Sequence, residues 1–235
     1  MRFSSQTRIG GHRGWPSRFP DNTLEGFVAA ATVADFVELD VRASSDGRWV
    51  LAHDPHIGEL SVSTTSWDVL RRFDVGDGLH PTTLDDVFEA LPELPLDVEI
   101  KNSPLDPAFD AGHEVALAVA AAVRAFDVMT SFNWPTMDAV RDAFPEVRTG
   151  LLVDGTGSAL DALHAATERG HVLIAPHWTL VNKELTAAAR DAGVEVVTWT
   201  VNDPAVALRL ADDGVDAIIT DDPGRMRTVL GGAPS

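Results

Sequence analysis

The sequence predicts an α/β fold: an eight-fold (β/α)8 barrel with a β-hairpin extension after its second strand and a short insertion. Three observations lead there. Short β-rich runs alternate with Ala-rich helical stretches along all 235 residues, the pattern of βα units around a parallel sheet. No Gly/Ser- or Pro-rich linker divides the chain, so residues 1–235 read as one domain with a tail expected to fray over 231–235. Of nine β-rich runs, two lie too close together to be parallel neighbours, and setting one aside leaves eight.

The first run, Arg8–His12, precedes a helical stretch over Thr23–Val33, with Asn22 and Glu25 spaced as a capping box. Val37–Arg42 and Trp49–His53 follow, joined only by Ala43 to Arg48. A parallel crossover needs a dozen or more residues, so this pair forms an antiparallel hairpin that turns at Asp46-Gly47. Counting outward from that turn sets residue i opposite residue number about 92 − i, which brings His53 opposite Leu39, beside Glu38 and Asp40. Residues 55–80 form the insertion. Strands are then expected over Leu96–Lys101, Val128–Phe132, Thr149–Val153, Val172–Pro176, Val194–Val201 and Ala217–Thr220. Helices are expected over Leu84–Ala90, Phe109–Ala125, Thr136–Ala143, Ser158–Glu168, Lys183–Ala192, Pro204–Ala211 and Gly224–Leu230. Asn202-Asp203-Pro204 supplies a cap followed by Pro at the first helical position. Periodicity alone also fits a doubly wound open sheet; the matching counts of strands and helices favour closure.

The chain carries 18 basic and 36 acidic side chains, a formal net charge of −18. Such acidity argues against nucleic acid and against an anionic membrane surface as partners. No apolar run approaches the roughly 18–20 residues of a membrane span, and Met1 to Arg8 lacks the apolar segment of a signal peptide. Cysteine is absent, which removes disulfides, thiolate metal sites and Cys nucleophiles. These features point to a cytoplasmic protein with a small-molecule partner and no stable membrane insertion; the oligomeric state is unknown.

In a barrel, function sits at the C-terminal ends of the strands. His12-Arg13-Gly14 ends the first strand, and His53-Asp54 ends the hairpin arm. Glu38 and Asp40 are two apart and share a strand face, as do Glu99 and Lys101. Later strand ends carry Asn133, Asp154, His177, Trp199 with Asn202, and Asp221. Charges inside an apolar strand are costly unless paired or bound to metal. Each pair alone reads as a local ion pair, Glu38 with Arg42 and Glu99 with Lys101. Together, on neighbouring strands beside two histidines, they read as a site for a hard divalent cation, Mg2+ or Ca2+. His12 and His53 are general acid/base candidates, Arg13 offers a fork for phosphate, and Lys101 offers a point charge.

In order along the chain stand Gly11-His12-Arg13-Gly14, Pro20-Asp21-Asn22-Thr23, Glu38-Leu39-Asp40-Val41, Asp46-Gly47 and Ala52-His53-Asp54-Pro55. Pro81-Thr82-Thr83-Leu84, Glu99-Ile100-Lys101, Val197-Thr198-Trp199-Thr200-Val201-Asn202 and Thr220-Asp221-Asp222-Pro223 follow. This ordered set resembles the glycerophosphodiester phosphodiesterase family over nearly the whole chain. The resemblance implies a TIM-barrel hydrolase that cleaves a glycerophosphodiester to glycerol 3-phosphate and an alcohol with one divalent cation. It implies Glu38, Asp40 and Glu99 as metal ligands and His12 and His53 as the acid/base pair. It further implies Arg13 and Lys101 as phosphate ligands and Trp199 against the glycerol.

Three departures stand out. Asp21 occupies a position where the family usually has Glu, Ser44-Ser45 precedes the Asp-Gly turn in place of the usual Thr, and the 55–80 insertion is shorter than usual. The resemblance leaves open which histidine is the acid and whether water or the glycerol 2-hydroxyl attacks. The alternatives are a relative that releases a cyclic phosphate from lysophospholipids or sphingolipids, and a barrel that only binds phosphodiesters. An anionic substrate on so acidic a chain requires local compensation, so the acidity is expected mainly on the helical exterior.

Overall fold

The computed structural model describes residues 6–231. Strand β1 (Arg8–Gly11) leads through helix α1 (Leu24–Ala30) to β2 (Phe36–Ala43), which turns back at Asp46-Gly47 into β3 (Trp49–Leu51). The insertion holds a small hairpin, β4 (His56–Ile57) and β5 (Leu60–Ser61), a 3-10 turn at Val62–Thr64, and α2 (Trp67–Leu70). Regular alternation then runs through α3 (Leu84–Ala90), β6 (Leu96–Ile100), α4 (Glu114–Ala120), β7 (Val128–Ser131), α5 (Trp134–Ala143) and β8 (Arg148–Val153). It ends with α6 (Ala159–Arg169), β9 (Leu173–Pro176), α7 (Lys183–Ala192), β10 (Glu195–Thr198), α8 (Pro204–Asp213), β11 (Ala217–Thr220) and α9 (Pro223–Leu230).

Eight parallel strands close into a barrel because β1 pairs with β11 on one side and β2 on the other. β1 is short and reaches only Phe36 and Val37 of β2, so the upper edge of β2 is free to take β3. The hairpin register is Val41↔Leu51, Arg42↔Val50 and Ala43↔Trp49, as a turn at Asp46-Gly47 dictates. β3 stops at Leu51, two residues short of expectation, although Ala52 N still donates to Asp40 O at 3.0 Å. His53 therefore leaves the ladder just where it must turn toward the barrel mouth.

The period-2 rule sorts each strand. Val37, Leu39 and Val41 of β2, with Val98 and Ile100 of β6, belong to the apolar layer between barrel and helices. The opposite faces carry Phe36, Glu38 and Asp40 on β2, and Asp97 and Glu99 on β6. Phe36, Val128, Leu173, Val197, Ala217 and Ile219 fill the lower interior. Gly10 makes that filling possible, since a Cβ there would lie 2.4 Å from Phe36 Cζ. The insertion has its own small core of Val50, Ala52, Ile57, Val62 and Leu70.

Two local expectations change. α1 is capped by Thr23, whose side chain accepts from Gly26 N, rather than by an Asn22–Glu25 box. Asn22 sits at φ 57° and sends its amide to Asp40 Oδ2 at 2.8 Å, so a tertiary bond overrides the local cap. α4 is shorter than Phe109–Ala125 at both ends. Asp110 folds its approach by accepting from Gly112 N and Val115 N, and Arg124 closes its exit on Asp127. Of the tail expected to fray, all but Gly231 lies outside the described residues. Among the described residues no helix is long and apolar enough to cross a membrane.

Candidate active site

Glu38 and Asp40 from β2 and Glu99 from β6 converge at the C-terminal mouth of the barrel. The β2–β6 register sets Asp40 beside Glu99, and one carboxylate oxygen from each of the three residues lies within 4.8 Å of the others. All three are buried, Glu38 at 6%, Asp40 at 0% and Glu99 at 7% exposure. Lys101 Nζ approaches Asp40 Oδ1 at 2.8 Å and Glu99 Oε1 at 2.6 Å. Arg13 Nε lies 3.2 Å from Asp40 Oδ2, and the Arg13 backbone N–H donates to Glu38 Oε2 at 2.9 Å. Arg13 adopts φ 50°, and Gly14, at φ 96°, keeps the turn tight enough for that approach. The local pairing of Glu38 with Arg42 does not form, because Arg42 pairs with Asp106 at 2.6 Å.

The electrostatics follow from this crowding. Burial, then Asp40 and Glu99, drive the Glu38 carboxyl well above its ordinary pKa. Burial pushes Glu99 up to about 7, against the pull of Lys101. For Asp40 burial pushes upward too, but Lys101 and Arg13 outweigh it and hold the group at about 2. Burial alone would lower Lys101 and Arg13; the carboxylates around them raise both. Three carboxylates against two cations leave a formal deficit of one positive charge, and the raised pKa values of Glu38 and Glu99 express it. A hard divalent cation among three oxygen donors removes the same deficit, so the residues fit one.

His12 Nδ1 sits 2.7 Å from Asp221 Oδ1, and His53 Nδ1 sits 2.8 Å from Asp54 Oδ1. An ionised carboxylate only accepts, so each Nδ1 carries the proton and each Nε2 is left for a ligand. Asp221 is held in turn: Asn202 Nδ2 donates to Asp221 Oδ2 at 2.5 Å, and Asn202 Oδ1 accepts from Asp221 N and from Thr220 Oγ1. Burial raises Asp221, but the bond and charge of His12, the bond from Asn202 and the charge of Arg13 together outweigh it and lower the group; burial also lowers His53, with Lys101 adding.

Both histidines, Arg13, Lys101, Glu38, Glu99 and Trp199 line one cavity of about 180 Å³, with Asp97 and Leu152 deeper in it. The Trp199 ring stands between Phe132 and His177, with centroids at 5.4 Å from each, and its Nε1 donates to Ala175 O. Trp134 and Trp178 stay at the rim: Trp134 Nε1 donates to Leu152 O, and both rings lie against the outer core. Asp21, despite its shorter side chain, accepts directly from Arg13 Nη1 at 3.0 Å.

The structure thus brings His12, Arg13, Glu38, Asp40, His53, Glu99, Lys101 and Trp199 to one place, whereas Asn133 and Asp154 line a neighbouring groove and His177 turns to Thr179 Oγ1. It adds Asn22 on Asp40, Asp97 beneath Glu99, the Asn202–Asp221 pair behind His12, and Phe132. Asp97 was visible as the next same-face residue below Glu99; the others become neighbours only when the barrel closes.

The sequence profile described as the glycerophosphoryl diester phosphodiesterase family matches residues 12–225. A glycerophosphodiester phosphodiesterase of Caldanaerobacter subterraneus is 28% identical over 93% of this chain and 95% of its own. The crystal structure of a glycerophosphodiester phosphodiesterase from Thermotoga maritima shares 26% identity over 95% of this chain and 98% of its own, with a TM-score of 0.80. A phosphodiesterase of Oleispira antarctica, solved in complex with its product sn-glycerol-3-phosphate, has the same fold at 22% identity and TM-score 0.84, covering 97% of this chain and 98% of its own.

Proposed function

The chain belongs to the glycerophosphoryl diester phosphodiesterase family, and from that membership and the site geometry we propose that it hydrolyses glycerophosphodiesters to glycerol 3-phosphate and an alcohol. Residues 6–231 act as one barrel unit around this site. The observation that carries the reading is the buried trio Glu38, Asp40 and Glu99, flanked by Arg13 and Lys101 and by two histidines whose Nε2 atoms take no hydrogen bond from the described residues.

Glu38, Asp40 and Glu99 would hold one Mg2+ or Ca2+, which when bound polarises a phosphoryl oxygen. Arg13 and Lys101 bind the phosphate and stabilise the charge that builds on its equatorial oxygens. The two imidazoles share the proton work: one, neutral, takes a proton from the attacking hydroxyl on its bare Nε2, and the other, entering the turnover as an imidazolium, delivers its Nε2 proton to the departing alkoxide. Asp221 and Asp54 fix the tautomers that make this possible. Trp199 packs against the glycerol carbons and helps to exclude water.

The test is detection of glycerol 3-phosphate from several glycerophosphodiesters, with chelator and with Mg2+ or Ca2+ restored. Product is expected only when the cation is present, and not from His12→Ala or His53→Ala. Turnover unaffected by thorough chelation would sink the metal role. A phosphomonoester other than glycerol 3-phosphate would move the assignment to a different bond.

A further inference from the structure

We propose that a groove beside His53 receives the leaving alcohol and favours one that carries a positive charge, an amino- or trimethylammonio-alcohol; this rests on the phosphodiesterase reading above. The groove, about 410 Å³, opens from His53, Glu99 and Lys101 and runs over the ends of β6, β7 and β8 past Asp106, Phe132 and Asp154. Trp199 lines the central cavity but not the groove. A glycerol packed on Trp199 therefore leaves the groove to the other arm of the diester.

The wall has the chemistry of a cation site once its internal pairs are counted. Both bases that border it are committed. Arg42 Nη1 lies 2.6 Å from Asp106 Oδ2, and its Nε and Nη2 donate to His53 O at 3.1 and 2.9 Å. Lys101 is held by Asp40 and Glu99. Asp154 is not neutralised. Its Oδ1 accepts from Thr156 N, Thr156 Oγ1 and Gly157 N, while Oδ2 takes no hydrogen bond from the described residues. Phe132 is 42% exposed, so its ring face is open to the groove, and its contact with Trp199 fixes it in the wall. An aromatic ring and an unneutralised carboxylate along one groove suit an ammonium group and repel an anionic one.

The test compares kcat/KM for glycerophosphocholine with that for the 3,3-dimethylbutyl ester, which keeps the shape of choline without its charge. Glycerophosphoethanolamine and glycerophosphoglycerol extend the series. The unaltered protein should prefer the choline ester, and Asp154→Asn and Phe132→Leu should each cut the preference by about two- to fivefold, the value of an exposed ion pair or cation–π contact. Glu168→Gln, exposed at the far end of α6, controls for the overall negative field and should leave the ratio alone. A ratio near one in the unaltered protein, a ratio unmoved by both groove variants, or one moved as far by Glu168→Gln overturns the proposal. Absence of glycerol 3-phosphate from every ester would instead overturn the phosphodiesterase reading beneath it.

Discussion

Replacing Asp97 by asparagine should stabilise the protein, and more so as the pH rises. Asp97 is 1% exposed on the inner face of β6, below Glu99. Burial lifts its carboxyl from the ordinary 3.8 to about 6, although Thr130 Oγ1 donates to it at 2.7 Å and Arg148 pulls the other way. Because the folded pKa is the higher one, the folded state holds the proton more tightly. Asp97's contribution to stability is then greatest below pH 3.8 and is lost as the pH climbs through about 6. Carrying a carboxyl from 3.8 to about 6 corresponds to about 3 kcal/mol above that range, since a tenfold change in proton affinity is about 1.4 kcal/mol. Asparagine keeps the acceptor for Thr130 and removes the charge, but its new N–H2 needs a partner, which subtracts about 1 kcal/mol or more. The gain should therefore be about 1–2 kcal/mol at pH 7.5 and smaller by about 1 kcal/mol at pH 5. Urea unfolding with chelator present, so that no cation compensates the carboxylates, measures both. An Asp97→Asn protein that is less stable at pH 7.5, or whose difference from the parent does not change with pH, would refute the reasoning.

Asp221→Asn keeps the shape behind His12 but lets the wrong tautomer form; kcat should fall by about 10²-fold or more with KM little changed, read from steady-state kinetics across pH. Glu38→Gln mimics the protonated form that burial already favours, so apo stability should hold while the rise in Tm on adding Mg2+ or Ca2+ disappears, read by thermal melts with and without chelator. Gly10→Ala drives a methyl into the Phe36 ring and should cost about 1–3 kcal/mol in urea unfolding, with Phe36→Leu in the same chain recovering part of it.

The strand order was legible from the βα alternation and link lengths, and the site residues from strand ends and period 2. Glu38/Asp40 and Glu99/Lys101 declare a shared face from sequence spacing, and the short Ala43–Arg48 link forces the hairpin. Helix ends were less legible, because the residues that set them are spent on distant partners. Asn22 reads locally as a cap and is used on Asp40, 18 residues away. Arg124 reads as helical and instead reaches Leu91 O and Leu94 O, which ends α4 early. Asp221 and Asn202 could be placed at strand ends but not given a partner, since the contact with His12 spans 209 residues and exists only after β11 closes on β1.

The net charge of −18 does not oppose an anionic substrate as directly as the number implies. Some of the acidity lies on the catalytic rim itself rather than on the helical exterior, because each barrel helix begins where a strand ends. There it caps helices: Asp203 accepts from Ala205 N and Val206 N, Asp222 from Arg225 N, and Asp86 completes the box with Thr83. A carboxylate at a helix N-terminus meets the positive end of the helix dipole, so much of its field is cancelled within the first turn. Inside the ring, Arg13 and Lys101 oppose three carboxylates, and a divalent cation would turn that formal balance from −1 to +1. With all three carboxylates ionised, the sign of the field at the phosphate is set by whether the cation is bound, and the raised pKa values of Glu38 and Glu99 offset part of the cation's loss as the pH falls. On this reading phosphate affinity should depend on the cation even where no chemistry follows, and loss of glycerol 3-phosphate binding on chelation, measured calorimetrically, would be its signature.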